Sequence, residues 1–565
     1  MTAILIKAKR YIRTKFRSDL TAGLTVAMVV IPQAMAYAAI VGINPIFGLF
    51  TAIIPTIIAA FFGSFQLLIS GPTNPTALVT ASVLISYVNR TDYLEFVLGL
   101  AIIAGIFNII FGLLKFGKII RYISNSVLVG FLTAGGVLII SYQIGNLIGI
   151  TFSKGGGIYE IITRLLSEIP NANPFTLIVS LISFFIMLLT KRINRKLPAS
   201  LLTIAIAGLI VYFLGWGSEQ NIRLVSDYGL PENLGLGFHI PQITLNEFIS
   251  LGFSGAAIAL FGFMETISIA KAMSQMTDEK LDPSREMIAQ GLASFVGGFF
   301  QCMPSAGSPS RTVINVINGA KTRFSAVLSG ASVLMFLLLF SGLIGYIPMA
   351  TLSVIVIISA AGLINMNMIK LTWQSSIKSR SVMIVTFIST LFLPLEYAIY
   401  LGVLTTILIF LEESSHINLS YIVEDEDGDF IELPLQRAES QEPQIAIINI
   451  EGDLHFAAVE DLQNQIDQIL HSSVRVLIFR FRRTHLLAST GIMALDRLIK
   501  TAHNRDMEIL FCGLHEEVIE PLKAAGVTEK IGESRIFLAN SKLFNSTQNA
   551  LNKAKSILED GSADQ

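Results

Sequence analysis

Charged residues and cysteines are scarce in this sequence. Asp, Glu, Lys and Arg make up only 14% of the 565 residues, whereas 52% are hydrophobic and the mean hydropathy is +0.65. This composition excludes an ordinary soluble enzyme and indicates a chain that lies in a lipid bilayer. The two cysteines, Cys302 and Cys512, are too few for a disulfide framework or a cysteine zinc site. A net charge of -1 gives no indication of a nucleic-acid partner.

Motifs of catalysis and metal binding are also missing. The polar C-terminal part has no Gly-rich phosphate loop, no His/Cys cluster and no arrangement typical of a catalytic nucleophile. We therefore expect no enzymatic activity, no catalytic residues, no cofactor and no metal site.

The N-terminus is basic and amphipathic over residues 1–19, and the apolar run that follows has no small-residue cleavage site. This pattern predicts a membrane-surface helix that leads into a first span, rather than a signal peptide.

Hydropathy predicts about fourteen spans, several of them shorter than the roughly 20 residues that cross a bilayer without tilt. They lie near residues 20–40, 45–64, 73–88, 93–114, 125–150, 174–190, 198–215, 249–270, 285–300, 309–318, 324–342, 347–364, 381–393 and 395–411. Together they predict a polytopic α-helical transmembrane domain over residues 20–411.

The distribution of Lys and Arg predicts the orientation of these spans. Alternate loops are rich in Lys and Arg, whereas the other loops carry only Arg90, Lys154, Arg164 and Arg223. Basic loops face the cytoplasm. We therefore expect both termini there, in a multi-pass protein of the cell membrane.

Two spans are interrupted in the same way. Residues 65–78 ("FQLLISGPTNPTAL") and 300–313 ("FQCMPSAGSPSRTV") each pass from an apolar stretch through Gly, Pro and hydroxyl residues into a short helix. Seven spans separate these two copies, and an odd number predicts that the second copy is inverted. Paired interrupted helices in an inverted repeat indicate a transport site at the bilayer midplane.

Each break allows a helix to start inside the membrane. Pro309 removes an amide donor, so a helix can begin there with Ser308 or Ser310 as its cap. The break at Thr73 and Asn74 would begin a helix from the opposite side. Two facing helix N-termini, each with about half a positive charge, form an anion site.

Arg311 adds a full positive charge to this site. An isolated charge at the bilayer centre costs about 2.5–3.5 kcal/mol on insertion scales, so the side chain is expected to face a partner or a water-filled cavity. The alternative is that residues 305–311 form a surface loop with a snorkelling arginine.

Glu265 is the second ionisable side chain within a span, and its carboxyl can bind a cation or a proton. Gln33 and Glu265 each follow a glycine by ten residues, which predicts that both copies of the repeat line one cavity. The alternatives for Glu265 are a packed, protonated acid bonded to Thr266 or Ser268, and an interfacial acid near Lys271.

Gln33 and Tyr37 lie one helical turn apart on the first span, so both are candidates to face the cavity. A glutamine in a membrane also serves as a link between helices, and both interpretations of Gln33 stay open. Asn315 and Asn318 are assigned to packing.

The C-terminal part changes in pattern. Residues 412–442 are polar and acidic and are interpreted as a linker with one exposed strand. Over residues 443–557, short apolar strands alternate with amphipathic helices, which predicts a small α/β domain. A polar tail, 558–565, follows.

Several stretches are similar to those of a known family. They are "DLTAGLTVAMVVIPQAMAYA", "PIFGLFTAIIPTIIAAFFGS", "METISIAKA", "GSPSRTVINVINGAKT", "GDLHFAAVEDLQNQI" and "LLASTGIMAL". Over nearly its whole length the chain resembles the SulP sulfate permease family (solute carrier family 26), and its C-terminal part resembles the family's cytoplasmic STAS domain, which is similar to bacterial anti-sigma-factor antagonists.

The resemblance implies a seven-plus-seven inverted repeat, in which spans 1–4 and 8–11 form a mobile core and spans 5–7 and 12–14 a gate domain. It implies an elevator-type motion that carries an anion bound between spans 3 and 10, in a homodimer. Arg311 matches the family's site arginine. Glu265 matches the acid associated with proton coupling, where relatives that use sodium tend to carry an aspartate.

The tail departs from the family pattern. A regulatory STAS loop commonly reads Asp, any residue, Ser or Thr, then Gly. Here Ala488 stands at the aspartate position, followed by Ser489, Thr490 and Gly491. Ser489 and Thr490 are the candidate regulatory residues, but the missing aspartate argues against phosphorylation of Thr490.

The leading function is proton-coupled transport of a small oxyanion, sulfate first, with bicarbonate or a dicarboxylate as the next substrates. A channel or anion exchanger of the same fold is one alternative. A membrane signalling scaffold that acts through its tail is another. Two helix ends and one arginine suit many anions, so the sequence does not select among them.

Overall fold

A computed structural model describes residues 11–118, 124–150, 158–194, 197–228, 237–415, 417–424, 430–434, 444–454, 458–459, 462–463, 465–466, 474–542 and 544–563. The chain divides into two compact units, Met1–Thr406 and Ile407–Gln565, and each is described by itself.

The first unit is helical, and a helix lies at each of the predicted spans. In chain order its elements are α1 (Phe16–Val41), α2 (Pro45–Phe62), β1 (Ser70–Gly71), α3 (Asn74–Val83), α4 (Tyr93–Leu113), α5 (Asn125–Leu147), α6 (Ile158–Glu168), α7 (Pro174–Ile193), α8 (Ala199–Phe213), α9 (Trp216–Glu219), α10 (Leu245–Ser250), α11 (Gly252–Thr277), α12 (Pro283–Phe299), β2 (Ala306–Gly307), α13 (Pro309–Ile317), α14 (Phe324–Ile344), α15 (Met349–Ala361), α16 (Met366–Ser375), α17 (Ile377–Phe392) and α18 (Leu395–Ser415). Within the described ranges, nine helical stretches are long and apolar enough to cross a bilayer.

Capping side chains and prolines explain where several helices begin. The side chains of Asn44, Asn173 and Asp282 accept backbone N–H groups at the starts of α2, α7 and α12, and a proline occupies the first position of each helix. Prolines also stand in the first turn of α3 and α13, which have only 10 and 9 residues. At 1.5 Å per residue each is about 15 Å long, so neither crosses the bilayer alone.

The helices of the first unit pack in two groups. In one group, α1 to α4 contact α11 to α14. Where α4 crosses α12, a Cβ added to Gly291 would lie 2.8 Å from the carbonyl oxygen of Gly105, so the close approach depends on glycine. In the other group, α5, α7 and α8 contact α15, and α5 also contacts α17. Contacts between the groups involve α1 and α3 on one side and α5, α8 and α15 on the other.

A six-stranded sheet forms the centre of the second unit. Its strands are β3 (Asn418–Glu424), β4 (Phe430–Pro434), β5 (Ile445–Glu451), β6 (Val476–Arg483), β7 (Glu508–Leu514) and β8 (Ile536–Leu538), in the order β4-β3-β5-β6-β7-β8. β5 to β8 are parallel, and β3 is antiparallel to β4 and β5. The described helices of this unit after β6 are α19 (Ser489–His503), α20 (Glu516–Ala524), α21 (Val527–Ile531) and α22 (Asn545–Ala563).

The central strands are continuous apolar runs because both faces of the sheet are covered. On one face Phe479, Phe481 and Phe511 pack in a core that includes residues of α19 and α20. On the other face Ile478 and Leu510 pack with Ala550 and other residues of α22.

The segment 412–442 differs from its sequence interpretation. It contributes two strands, β3 and β4, where the sequence predicted a single exposed one. Leu419 and Ile422 of β3 are buried, and β3 pairs with β5 from Asn418 opposite Glu451 to Ile422 opposite Ile447. β3 and β4 are therefore part of the sheet, because apolar side chains of β3 find partners that lie later in the chain.

Candidate functional site

Two short strands bring the predicted breaks together. β1 and β2 pair in antiparallel fashion, with Ser70 opposite Gly307 and Gly71 opposite Ala306. Each strand leads into a short helix, β1 into α3 and β2 into α13. The two segments therefore run in opposite directions where their helices begin.

Thr73 caps α3. Its Oγ1 accepts the N–H of Thr76 at 3.3 Å, and Thr76 Oγ1 accepts the N–H of Thr73 at 3.2 Å, which forms a capping box. The next residue, Asn74, is 3% exposed, and neither polar atom of its side-chain amide has a partner in the described part of the chain. A buried amide of this kind costs about 1–3 kcal/mol per unsatisfied group unless a ligand or water completes its bonds.

Of the two predicted cap residues, Ser308 and Ser310, Ser308 stands at the cap position of α13, but its side chain makes no capping hydrogen bond with the described residues. Its backbone N–H donates to the carbonyl oxygen of Ile69 at 2.8 Å, which fixes the start of α13 against β1. Ser308 Oγ lies 3.5 Å from Ser310 Oγ. The first turn of α13 thus keeps N–H groups that no side-chain cap satisfies.

Arg311 lies inside the protein, in the first turn of α13. It is 1% exposed, and its Nη2 donates to the carbonyl oxygen of Pro72 at 2.7 Å. A Cβ on Gly71 would lie 3.0 Å from Nη1, so the guanidinium packs against the strand that precedes α3. Nε and Nη1 have no partner among the described residues. The surface-loop alternative is therefore wrong.

Glu265 of α11 reaches the cap of α3. Thr73 Oγ1 donates to Glu265 Oε2 at 3.1 Å, and Glu265 is 6% exposed. It is thus not an interfacial acid near Lys271. The predicted alternative partner, Thr266, instead donates to the carbonyl oxygen of Gly262.

Three threonine hydroxyls hold the strand pair. The sequence did not single out Thr56 or Thr312, and it indicated Thr266 only as a possible partner of Glu265. Thr56 donates to the carbonyl oxygen of Ser70 at 2.7 Å, Thr312 accepts the N–H of Ile69 at 3.1 Å, and Thr266 accepts the N–H of Gly307 at 2.8 Å. The only sequence signal was a lone hydroxyl in an apolar helix, and such hydroxyls commonly bond their own helix.

A buried acid and a glutamine of α12 support β1 from behind. Glu286, which is 0% exposed, accepts the N–H groups of Ser64 and Phe65 at 2.8 and 3.2 Å. Gln290 donates to Glu286 Oε1 at 3.1 Å and to Ser70 Oγ at 2.8 Å. Glu286 directly follows Arg285 at the start of the predicted span 285–300. An acid beside a basic residue at a span end gave no reason to connect Glu286 with the site.

A cavity of about 600 Å³, called the site cavity below, opens in front of the two helix starts. Its wall includes the predicted residues Gln33, Tyr37, Thr73, Asn74, Glu265, Ser308 and Ser310. Arg311 is not part of this wall and lies behind it. Helices α5, α7, α8, α15 and α16 supply the opposite side, so the cavity lies between the two packing groups. The described residues hold no group of three or more His, Cys, Asp or Glu that could bind a metal ion.

Asn315 and Asn318 lie away from the site cavity. Asn315 is buried and donates to the carbonyl oxygen of Leu67 and to Ser325 Oγ, both at 2.9 Å. Asn318 donates to the carbonyl oxygen of Ile314 in its own helix. Both side chains therefore serve packing.

In the second unit, Ser489 and Thr490 form the exposed first turn of α19. Ala488 occupies the cap position and provides no side-chain hydrogen bond.

Known proteins resemble this chain over most of its length. The model of the sulfate permease family matches residues 16–386, and the model of the STAS domain matches residues 438–550. The putative sulfate transporter YvdB of Bacillus subtilis (strain 168) is 27% identical over 537 residues, which are 94% of this chain and 97% of that protein. The low affinity sulfate transporter 3 of Stylosanthes hamata is 28% identical, over 95% of this chain and 88% of that protein.

Solved structures share the fold. Murine Slc26a9, described as an anion transporter in the inward-facing state, matches with a TM-score of 0.86 and 20% identity, over 96% of this chain and 92% of that one. The transmembrane domain of the cyanobacterium bicarbonate transporter BicA matches with a TM-score of 0.59 and 24% identity, over 70% of this chain and 96% of that one. Because the family model covers well over half of the sequence, the chain belongs to the sulfate permease family and carries a C-terminal STAS domain.

Proposed function

We propose that this protein is a secondary active anion transporter, with proton-coupled uptake of sulfate as its activity. The observation that carries this proposal is the wall of the site cavity. There two helix N-termini meet beside the buried amide of Asn74, which has no partner in the described part of the chain. The names of the relatives, which are sulfate transporters, support sulfate as the first substrate to test.

The anion is proposed to lie between the starts of α3 and α13. The first-turn N–H groups of both helices and the Asn74 amide supply donors, and the helix dipoles add partial positive charge. Arg311 packs against Gly71 of β1, and two of its nitrogens have no partner among the described residues, so its charge strengthens the field at the cavity. Because apolar helix walls surround much of the cavity, this field is screened less than it would be at an exposed surface.

Glu265 is proposed to couple protons to the anion. Its carboxyl shares Thr73 Oγ1 with the cap of α3, so its charge lies next to the anion-binding helix start. An ionised Glu265 repels the anion, and a protonated Glu265 does not. Binding of a proton at Glu265 therefore favours binding of the anion, and binding of the anion favours protonation of Glu265 to the same extent.

The two packing groups are proposed to move against one another as core and gate. The core is α1 to α4 with α11 to α14, and it carries every predicted residue of the site. The gate comprises α5, α7, α8, α15 and α17 together with α18, whose Gly402 lies close to Thr386 of α17 and Val127 of α5. An elevator motion of the core would carry the anion past the gate, which exposes the site to either face in turn.

The site cavity extends to helix ends that border the basic loops. Lys191 at the end of α7, Ala199 at the start of α8 and Met368 of α16 belong to its wall. Since basic loops face the cytoplasm, this arrangement supports an inward-open state, with the termini in the cytoplasm and the protein in the cell membrane.

The test is flux of labelled sulfate into proteoliposomes of the purified protein, with and without an inward proton gradient. We expect uptake above equilibrium that depends on the gradient. Passive flux alone would indicate a channel, and exchange that requires internal anion would indicate an exchanger. Lack of any flux would favour a signalling role for the tail. Competition by bicarbonate and dicarboxylates in the same assay identifies the preferred anion.

We also propose a homodimer, as the family resemblance implies. Crosslinking in the membrane at two protein densities tests it, because a specific dimer persists at the lower density and random contacts do not.

A further inference from the structure

A second cavity, of about 310 Å³, lies on the same helices as the site cavity. Its wall includes Ala39 and Ile40 of α1, Leu78 and Ser82 of α3, Tyr142, Gln143 and Asn146 of α5, Arg223 and Tyr228 of the segment after α9, and the turn between α17 and α18. Helices α1, α3 and α5 thus contribute to both cavities, one after the other along their lengths.

The barrier between the two cavities is short. On α3 the site cavity ends at Pro75 and the second cavity begins at Leu78, which corresponds to a rise of about 4.5 Å. On α5 the site cavity ends at Thr133 and the second cavity begins at Leu138, which corresponds to a rise of about 7.5 Å. A Cβ on Gly135 would lie 3.3 Å from Leu78 Cδ2, so α3 and α5 touch at this level through small or apolar groups. Only about one helical turn, or slightly more, therefore separates the cavities.

Arg223 is the one cation in the wall of the second cavity, and it stands in a loop otherwise poor in Lys and Arg. Its backbone is fixed, because its carbonyl oxygen accepts the N–H of Met349 at 2.9 Å and Leu224 bridges to Pro348. Its guanidinium carbon lies 5.8 Å from the centre of the Tyr228 ring. Among the described residues, no carboxylate forms an ion pair with it. An arginine whose backbone is held in place, and whose guanidinium has no carboxylate partner among the described residues, attracts anions into a partly enclosed space.

We propose that the second cavity is an anion-accepting vestibule on the face opposite the basic loops, and that Arg223 selects small anions there, namely inorganic oxyanions and small carboxylates. This inference rests on the proposed function in one respect: it treats the two cavities as the two ends of one path for the transported anion. The selection of charge at Arg223 is measured without any transport.

The experiment uses single cysteines in the full chain. Both native cysteines are buried, so the parent protein serves as the unreactive background. Ala39→Cys places a thiol in the second cavity, and Ser359→Cys places a matched thiol in the site cavity. Membrane-impermeant thiosulfonates of negative or positive charge are applied to the outer face of cells, and the two modification rates are compared.

We expect Ala39→Cys to react from outside and to prefer the anionic reagent. Arg223→Gln in this background should lower the ratio of anionic to cationic rates by roughly three- to tenfold, because one nearby charge is removed at intermediate screening. Arg223→Lys should keep most of the preference. Added sulfate should slow modification while Arg223 is intact. In Ser359→Cys protein labelled from the inner side, Arg223→Gln should leave the ratio unchanged.

A ratio that does not change in Arg223→Gln would overturn the proposal, and so would an Ala39→Cys thiol that is unreactive from outside. If Arg223→Gln does not fold, the test uses the Ala39→Cys protein with Arg223 intact. Modification of this protein that is not slowed by added sulfate would also overturn the proposal. Sulfate uptake is measured in parallel. If the parent protein shows charge selection at Ala39→Cys but no proton-coupled uptake of sulfate, the proposed function is contradicted. The proposal that the second cavity accepts anions would still stand.

Discussion

Arg311 and Glu265 are both buried, yet they are held in different ways. Arg311 is bound through Nη2 to a backbone carbonyl, that of Pro72, and its other two nitrogens have no partner in the described part of the chain. Glu265 accepts the hydroxyl of Thr73, which is also the cap of α3. The arginine therefore acts as a fixed charge, whereas a change in the charge of the acid acts directly on a helix start.

Arg311→Ala should weaken sulfate binding by about tenfold or more, because removal of a buried positive charge near the cavity lowers its attraction for the anion by on the order of 1–2 kcal/mol at an intermediate effective dielectric constant. Arg311→Lys should restore only part of the affinity, since lysine keeps the charge but loses the planar fork. Calorimetric titration of the purified variants measures this. Unchanged affinity in a folded Arg311→Ala protein would make the arginine a tether between α13 and β1 with no part in binding.

Glu265→Gln should bind sulfate but lose the response of uphill uptake to the proton gradient. The amide keeps the size of the side chain and can still accept the bond from Thr73, but it does not titrate. Uptake into proteoliposomes over a range of external pH is the measurement, with Glu265→Asp as the control that retains a carboxyl. Uphill uptake that still follows the gradient in Glu265→Gln would place the coupling group elsewhere.

At the scale of elements, the β1–β2 pair is the structure on which both short helices depend. Gly71 has a φ of 137° and lies beside the Arg311 guanidinium, so only glycine fits without strain. Gly71→Ala should lower the free energy of unfolding by about 1–3 kcal/mol and lower sulfate affinity with it.

The matched control for Gly71→Ala is Gly342→Ala in α14, where an added Cβ meets nothing within 4 Å. Gly342→Ala should leave the free energy of unfolding unchanged or raise it by up to about 1 kcal/mol, since alanine has a higher helix propensity than glycine. Thermal unfolding in detergent compares the two variants. Equal midpoints for both would contradict a strained role for Gly71.

The start of α19 also offers a test at this scale. Ala488 stands at its cap position without a side-chain hydrogen bond. Ala488→Asp should stabilise the helix by about 0.5–2 kcal/mol, because the carboxylate can accept first-turn N–H groups. Slower hydrogen exchange over residues 489–492 of the full-length protein is the expected result, with Ala488→Ser intermediate. Unchanged exchange would show that another group already satisfies this turn.

At the scale of the whole molecule, the position of a truncation decides what remains. A chain that ends after residue 440 keeps β3 and β4 but loses β5, which pairs with β3. Its exposed strand edge should promote aggregation. A chain that ends after residue 415 keeps α18 and leaves no such edge, and its membrane helices satisfy their own backbone bonds.

Size-exclusion chromatography in detergent distinguishes the two truncations. We expect a single species for the chain that ends at 415 and a large aggregated fraction for the chain that ends at 440. Sulfate flux and crosslinking of the shorter form then test whether the tail affects transport or dimer formation. Full retention of both would remove any regulatory role for Ser489 and Thr490.

Much of the candidate site could be predicted from the sequence, because the signals that point to it are local. Proline, glycine and hydroxyl residues in an apolar run predict a break wherever the run folds, and a charge inside a span requires an explanation. Thr73, Asn74, Glu265 and Ser308 were found in this way, and all four line one cavity. Thr56, Thr312 and Gln290 were missed, because a threonine or a glutamine in an apolar helix carries no sign of its partner.

The sequence by itself determined the membrane class, the helical segments, the two interrupted spans and the α/β tail, because hydropathy and helix-breaking residues act within one segment. Only the tertiary structure decided which distant groups meet. The bond from Thr73 to Glu265 joins residues 192 positions apart, and the partner of Arg311 is a backbone carbonyl, which every residue possesses. Strand pairing, cavities and buried hydrogen bonds arise from packing between segments, and no local pattern specifies that packing.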